Sequence, residues 1–384
     1  MRLPGNVGQP RMAMVGFWRW NWRQKYRRSY RVSRPDPLQA GCWYPRIMAE
    51  QNVFMNPSLR ELEPGSYIRG GIYAIINPQI GTNRNGGKYL KCLLRDASGE
   101  VAGRKWKLDG FDLEDCRSTG FVRLDGEVVE FNGQPQVNIH DIEAERVAES
   151  DLIRLLPHTK FDVDMMFKEV MGLLDSMTHP AMKALARRYT EDQELMKAFR
   201  RSPAAMVMHH AWVGGLLEHT WQLMRVANRT VECYVDASGR PKLNRDLVLM
   251  GLFLHDLGKT TELYWDKGFG YTTEGNLVGH IARGSLWLED CARDLDPPLP
   301  EDALAVLHNI ILSHHGEPEY GALRPPMTPE AVLVSQLDNL DARVAMSLGA
   351  VDPSGEGRRV GGDPFTERAS GTGARMYRHD PLPE

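Results

Sequence analysis

Leu-Phe-Leu-His-Asp-Leu-Gly-Lys, residues 252–259, reads as the end of an apolar helix that carries a histidine and an aspartate into its last turn. The apolar run 247–254 fits a buried core helix, and Gly258 stops it. Further donors stand on either side of the pair: His219 before it, then His280, His314-His315 and Asp338 after it. Imidazole nitrogens mixed with carboxylate oxygens suit divalent cations, and two adjacent ions need about this many ligands. If these groups converge, the protein is a metal-dependent hydrolase.

Helical spacing turns several of them inward. His219 lies between Leu216 and Leu223, on a stripe continued by Ala227, Val231 and Tyr234. His255 follows Val248 and Leu252, and Asp338 follows Val334 with Asp341 one turn on. A buried imidazole or carboxylate without a partner costs several kcal/mol. One such histidine is ordinarily a satisfied core residue, whereas a shared metal centre explains helix after helix sending one inward. Helices are also expected over 161–177, 180–189 and 191–199, the last behind a Thr190/Gln193 capping box. Asp246 is expected to cap 247–257, and Thr328-Pro329 to open 330–346. Residues 155–346 therefore predict an all-α bundle.

Upstream the texture changes. Residues 67–76, 88–96, 100–108, 120–131 and 134–143 are rich in β-branched and aromatic residues. Turn signals such as Asn85-Gly86-Gly87 and Asn132-Gly133 separate them. This spacing predicts a five-stranded OB-type barrel over 60–147. The fold class is then multidomain α+β, an N-terminal barrel followed by the helical bundle. OB barrels guide single strands along a basic groove with stacking rings. Arg84, Lys88, Tyr89, Lys91, Arg104, Lys105 and Trp106 are the candidates for that surface.

Bulk properties narrow the classes. The 384 residues hold five scattered cysteines with no CxxC pair, which fits a reducing cytoplasm and excludes a disulfide scaffold. No apolar run approaches a membrane span, so no membrane partner is expected. Residues 1–47 hold ten Lys/Arg against one acid, while the remainder holds 37 against 49. That arm interleaves aromatics with arginines, as nucleic-acid-binding arms do; the blander reading is a translation start at Met48 with the arm outside the native protein. Residues 349–384, rich in Gly, Pro and Arg, predict a disordered tail.

His219, His255-Asp256 and Asp338 resemble the H…HD…D signature of the HD-domain metal phosphohydrolases, and His280 with His314-His315 resembles the subgroup with two metals. Gly-Gly-Leu-Leu-Glu-His-Thr (214–220), His-Asp-Leu-Gly-Lys (255–259), Leu-Ser-His-His-Gly-Glu (312–317) and Leu-Asp-Asn-Leu-Asp-Ala (337–342) look like the YhaM-type 3′–5′ exoribonucleases. Over roughly residues 50–345 that resemblance implies an OB domain followed by an HD domain. It implies that His219, His255, Asp256 and Asp338 hold one ion. Asp256 would bridge to a second held by His280 and by His314 and His315, with Asp341 orienting a ligand from behind. Lys259 and, more weakly, Arg283 are placed to contact phosphate, and His209-His210 either touch the leaving group or pack. Mn²⁺ is the favoured ion, with Fe²⁺, Co²⁺, Zn²⁺ and Mg²⁺ as alternatives. The implied activity is 3′–5′ hydrolysis of single-stranded RNA, with DNA as a further substrate, in a homo-oligomer. The alternative is a phosphodiesterase or nucleotidase of small nucleotides with a regulatory barrel.

Overall fold

The computed structural model describes residues 56–148, 151–206, 209–266, 268–352, 362–368 and 371–382. The basic arm 1–47 lies outside them. Five strands, β1 (Tyr67–Thr82), β2 (Lys88–Arg95), β3 (Glu100–Lys105), β4 (Phe121–Phe131) and β5 (Gln134–Glu145), close into a barrel in the order β1-β2-β3-β5-β4. Neighbours pair antiparallel except β3 with β5, which is parallel. This is the OB topology. Alternation fills the barrel: Ile68, Leu90, Leu94, Leu124, Val137 and Ile139 point inward and are at most 3% exposed. β1 runs on to Thr82, past the expected end at residue 76, because a bulge between Ile76 and Gln79 lets it bend and stay paired with β2. Helix α1 (Leu113–Thr119), capped by Asp112, packs its Cys116 against the barrel core.

The bundle contains α2 (Val163–Asp175), α3 (Pro180–Thr190), α4 (Gln193–Phe199), α5 (Gly215–Thr230), α6 (Arg245–Leu254), α7 (Gly279–Ala292), α8 (Glu301–Ser313) and α9 (Pro329–Val351). Its core is one cluster running from Met166 through Leu216, Leu252 and Ile310 to Leu337. Thr328 caps α9 with Pro329 in its first turn, as expected, but two other caps differ. Thr190 still belongs to α3, and Asp192 caps α4 through Leu195 N. Asn244 rather than Asp246 caps α6, because Asp246 instead accepts the backbone N–H groups of Thr178 and His179 at the start of α3. Tyr234 falls past the end of α5 and is 53% exposed. The tail is not without structure: β8 (Phe365–Arg368) and β9 (Arg375–Tyr377) pair as a hairpin, the Phe365 and Tyr377 rings 5.6 Å apart.

A smaller core joins barrel and bundle. Ala74 of β1 and Phe121 of β4 pack with Leu152, Leu155, Leu156 and Phe269. Phe269 lies on a short hairpin, β6 (Leu263–Tyr264) and β7 (Gly270–Tyr271), that leaves the helical domain just after the His255-Asp256 turn. The Arg95 guanidinium of β2 covers the Phe269 ring at 5.2 Å.

Candidate metal centre and nucleic-acid face

Four helix positions and one turn bring the donors together. His219 sits one turn into α5, His280 at the start of α7, His314 at the end of α8, and Asp338 in the middle of α9. His255 ends α6, and Asp256 begins a turn that comes directly against α7. Gly258 makes that approach possible, since a Cβ there would stand 2.3 Å from the His280 carbonyl oxygen. His219, His255 and His314 are at most 1% exposed, and Asp256 is 2% exposed.

The imidazoles are oriented alike. His255 Nδ1 donates to Leu252 O at 2.7 Å, His314 Nδ1 to Ile311 O at 2.8 Å, and His315 Nδ1 to Tyr320 O at 2.7 Å. A carbonyl only accepts, so Nδ1 carries a proton in each ring and Nε2 is the nitrogen left for the centre. His280 Nδ1 is held by Glu262 Oε2 at 2.9 Å, and His219 Nδ1 by Asp341 Oδ2 at 2.7 Å. These outer partners set tautomer and ring direction, as carboxylates and carbonyls do behind metal-binding histidines.

The inner atoms fall into two sets around Asp256. Its Oδ2 faces His219 Nε2 at 3.6 Å and His255 Nε2 at 3.5 Å, while Asp338 Oδ1 is 3.2 Å from His219 Nε2. Its Oδ1 faces His280 Nε2 at 3.5 Å and His314 Nε2 at 3.4 Å. His219, His255 and Asp338 form one group whose ligand atoms lie within 4.8 Å of one another, and Asp256, His280, His314 and His315 form a second. Asp256 Oδ1, His280 Nε2 and His314 Nε2 are all buried with no hydrogen-bond partner. Three orphaned acceptors aimed at one point are costly unless a cation satisfies them, so the residues present fit a divalent ion.

The electrostatics agree. Burial works against charge on His219, yet the hydrogen bonds and charges of Asp338 and Asp341 outweigh it and raise its pKa to about 10. The same field favours any cation. Burial lowers His255 to about 3, against the pull of Asp256, and keeps it neutral and ligand-competent. Burial pushes Asp256 up, but Lys259, His255, His314 and His280 hold it well below the usual carboxylate range.

Other residues around the centre have partners of their own. Lys259 Nζ is bonded to Asp256 Oδ2 at 2.7 Å, so it orients the central carboxylate. Arg283 is ion-paired with Glu274. His210 packs rather than opens to a substrate: it is 1% exposed, and its Nε2 meets Asp341 Oδ2 at 2.9 Å. The segment 318–326 folds back on α8, where Leu323 N bonds to Leu312 O, and Tyr320 O fixes His315. Glu262 escaped the sequence reading. Its position three residues past Lys259, in the turn that follows the His-Asp pair, is the only signal it leaves.

On the barrel, Tyr89 and Trp106 rest ring on ring, centroids 5.0 Å apart, with Trp106 50% exposed. Gly81 of β1 stands opposite Tyr89 and leaves room for its ring. Beside this pair, Lys91 and Arg104 are cross-strand neighbours, and Arg104 is in register with Asn138 of β5. Lys88 and Arg84 are exposed at the β1–β2 end. Lys105 is a correction: it is 5% exposed and its ammonium donates to His140 O at 2.6 Å. β3's alternation places it on the inner face, so it does not join the outer groove.

A helical bundle that gathers H…HD…D donors in this order defines an HD-domain protein, and the HD domain family model matches residues 216–343. The 3′–5′ exoribonuclease YhaM of Listeria welshimeri is 30% identical over 330 residues, 84% of this chain and 98% of its own. YhaM of Bacillus pumilus is 31% identical over 270 residues, 69% of this chain and 82% of its own. The chain belongs to the YhaM family of 3′–5′ exoribonucleases. Among solved structures, the second OB-fold domain of replication protein A from Methanococcus maripaludis matches 25% of this chain and 100% of its own at 19% identity, with a TM-score of 0.19. No helix among the described residues is long and apolar enough to cross a membrane.

Proposed function

We propose that the protein is a metal-dependent 3′–5′ exoribonuclease that removes nucleotides from single-stranded RNA, with DNA as a second substrate. The observation that carries this reading is the pair of buried donor sets on either side of Asp256. His219, His255 and Asp338 would hold one ion and His280, His314 and His315 another, with one Asp256 oxygen turned toward each. Bound there, divalent ions supply a water acidified toward neutral pH and counter-charge for the phosphate oxygens. The mixed nitrogen and oxygen set suits Mn²⁺ best.

The protein's own groups do the rest. Lys259 pins Asp256 with one N–H and keeps its others for a phosphate oxygen. Glu262 and Asp341 fix the rings of His280 and His219, so the donors need no rearrangement when substrate arrives. The barrel's Tyr89–Trp106 platform stacks bases while Lys88, Lys91 and Arg104 track phosphates, feeding the 3′ end toward the bundle.

The test is incubation of the purified protein and Mn²⁺ with 5′-labelled single-stranded RNA. Stepwise shortening is expected, and EDTA or Asp256→Ala should stop it while RNA binding persists. Turnover of mononucleotides without any shortening, or activity retained by Asp256→Ala, would overturn the reading.

A further inference from the structure

A cavity of about 630 Å³ opens where the chain leaves the barrel, and no donor of the metal centre lines it. That volume suits a small organic ligand. Its wall combines three cations, Lys197, Arg200 and Arg201, with two rings, Phe161 and Trp265. No Asp or Glu is among the described residues that line it, in a chain whose residues 48–384 are net acidic. Arg200 lies over the Phe167 ring at 4.9 Å and is ion-paired with Asp164, which is itself exposed. Arg201 lies over Trp265 at 5.8 Å. Such cations at the rim attract phosphate, and the rings offer π-faces to a base.

We propose that this cavity binds a nucleotide, its phosphate between Lys197, Arg200 and Arg201 and its base against Trp265 and Phe161. The ligand is either a free nucleoside 5′-monophosphate or one nucleotide unit of a bound strand; both present the same chemistry. Its location gives the site consequence. Gly214, on the cavity wall, donates its N–H to Arg201 O at 2.9 Å and begins the helix that carries His219. Trp265 stands three residues beyond Glu262, which holds His280. A ligand here would lie against the start of the helix that carries His219 and against the segment that follows Glu262.

Calorimetric titration of the full chain with 5′-AMP, adenosine and inorganic phosphate tests the proposal. The same chain carrying Asp256→Ala is titrated with a short single-stranded RNA. For a free nucleotide, 5′-AMP binds more tightly than adenosine or phosphate, and Lys197→Glu with Arg200→Glu weakens it about tenfold or more. For a strand unit, 5′-AMP binding is undetectable and the same pair weakens RNA by that factor. RNA and 5′-AMP both indifferent to the pair would overturn the site. Lys197→Gln with Arg200→Gln, read in the same way, replaces the glutamate pair if its melting temperature falls. Because no arm requires cleavage, a failed nuclease assay would leave this result readable on its own.

Discussion

His210 holds a backbone conformation, φ 52°, that a non-glycine residue adopts only when its surroundings insist. Gly215 is what admits it, because a Cβ there would lie 2.0 Å from the His210 carbonyl oxygen. The strained turn delivers His210 Nε2 to Asp341 Oδ2, the same oxygen that holds His219 Nδ1. Two imidazoles on one oxygen leave Asp341 no freedom to rotate away from its ligand. We expect His210→Ala to lower metal affinity by about 10- to 100-fold, as loss of an outer partner does. Chelator competition would read this, and unchanged affinity would show that Asp341 needs no support. The histidines and aspartates themselves were legible from type and spacing. The role of His210 was not, because its partner is 131 residues away in sequence.

Among the elements, the turn 255–262 matters most. It carries two donors, the lysine that pins one of them and the glutamate that orients a third, and it rests on α7 with no side chain at Gly258. Gly258→Ala should force the turn and α7 apart, destabilising the bundle by about 1–3 kcal/mol and lowering metal content. Denaturant melts and elemental analysis measure both; a variant with native stability and full metal would refute the close-packing argument. On the barrel, Trp106 is half exposed and rests on the Tyr89 ring, and the proposed function gives its open face a base to stack on. Trp106→Ala should weaken single-stranded RNA by about 1–3 kcal/mol with little change in melting temperature. Fluorescence anisotropy of labelled RNA on the Asp256→Ala background is the measurement. Undiminished binding would move the strand elsewhere on the barrel.

Among the described residues three cores meet: the barrel's, the bundle's, and the small one that joins them through Phe269. The hairpin bearing Phe269 continues the 255–262 turn, so the barrel is docked on the segment that sets Asp256 and His280. Phe269 is 4% exposed, and Phe269→Ala should cost about 3–5 kcal/mol at that junction. Calorimetry is expected to separate barrel and bundle into two transitions; a single undisplaced transition would show that the junction does not couple them.

Barrel and bundle were legible in the chain because β alternation and helical period are local properties, repeated every two or about 3.6 residues. The donor types were legible because a polar group on an apolar face is costly wherever the face is buried. Partnership was not. That Glu262 holds His280, that Lys259 serves Asp256 first, that Lys105 turns inward and that Asp246 caps a distant helix all depend on which surfaces meet. Hydrogen bonds between residues far apart in the chain have no periodic signature; folding alone brings those atoms within reach.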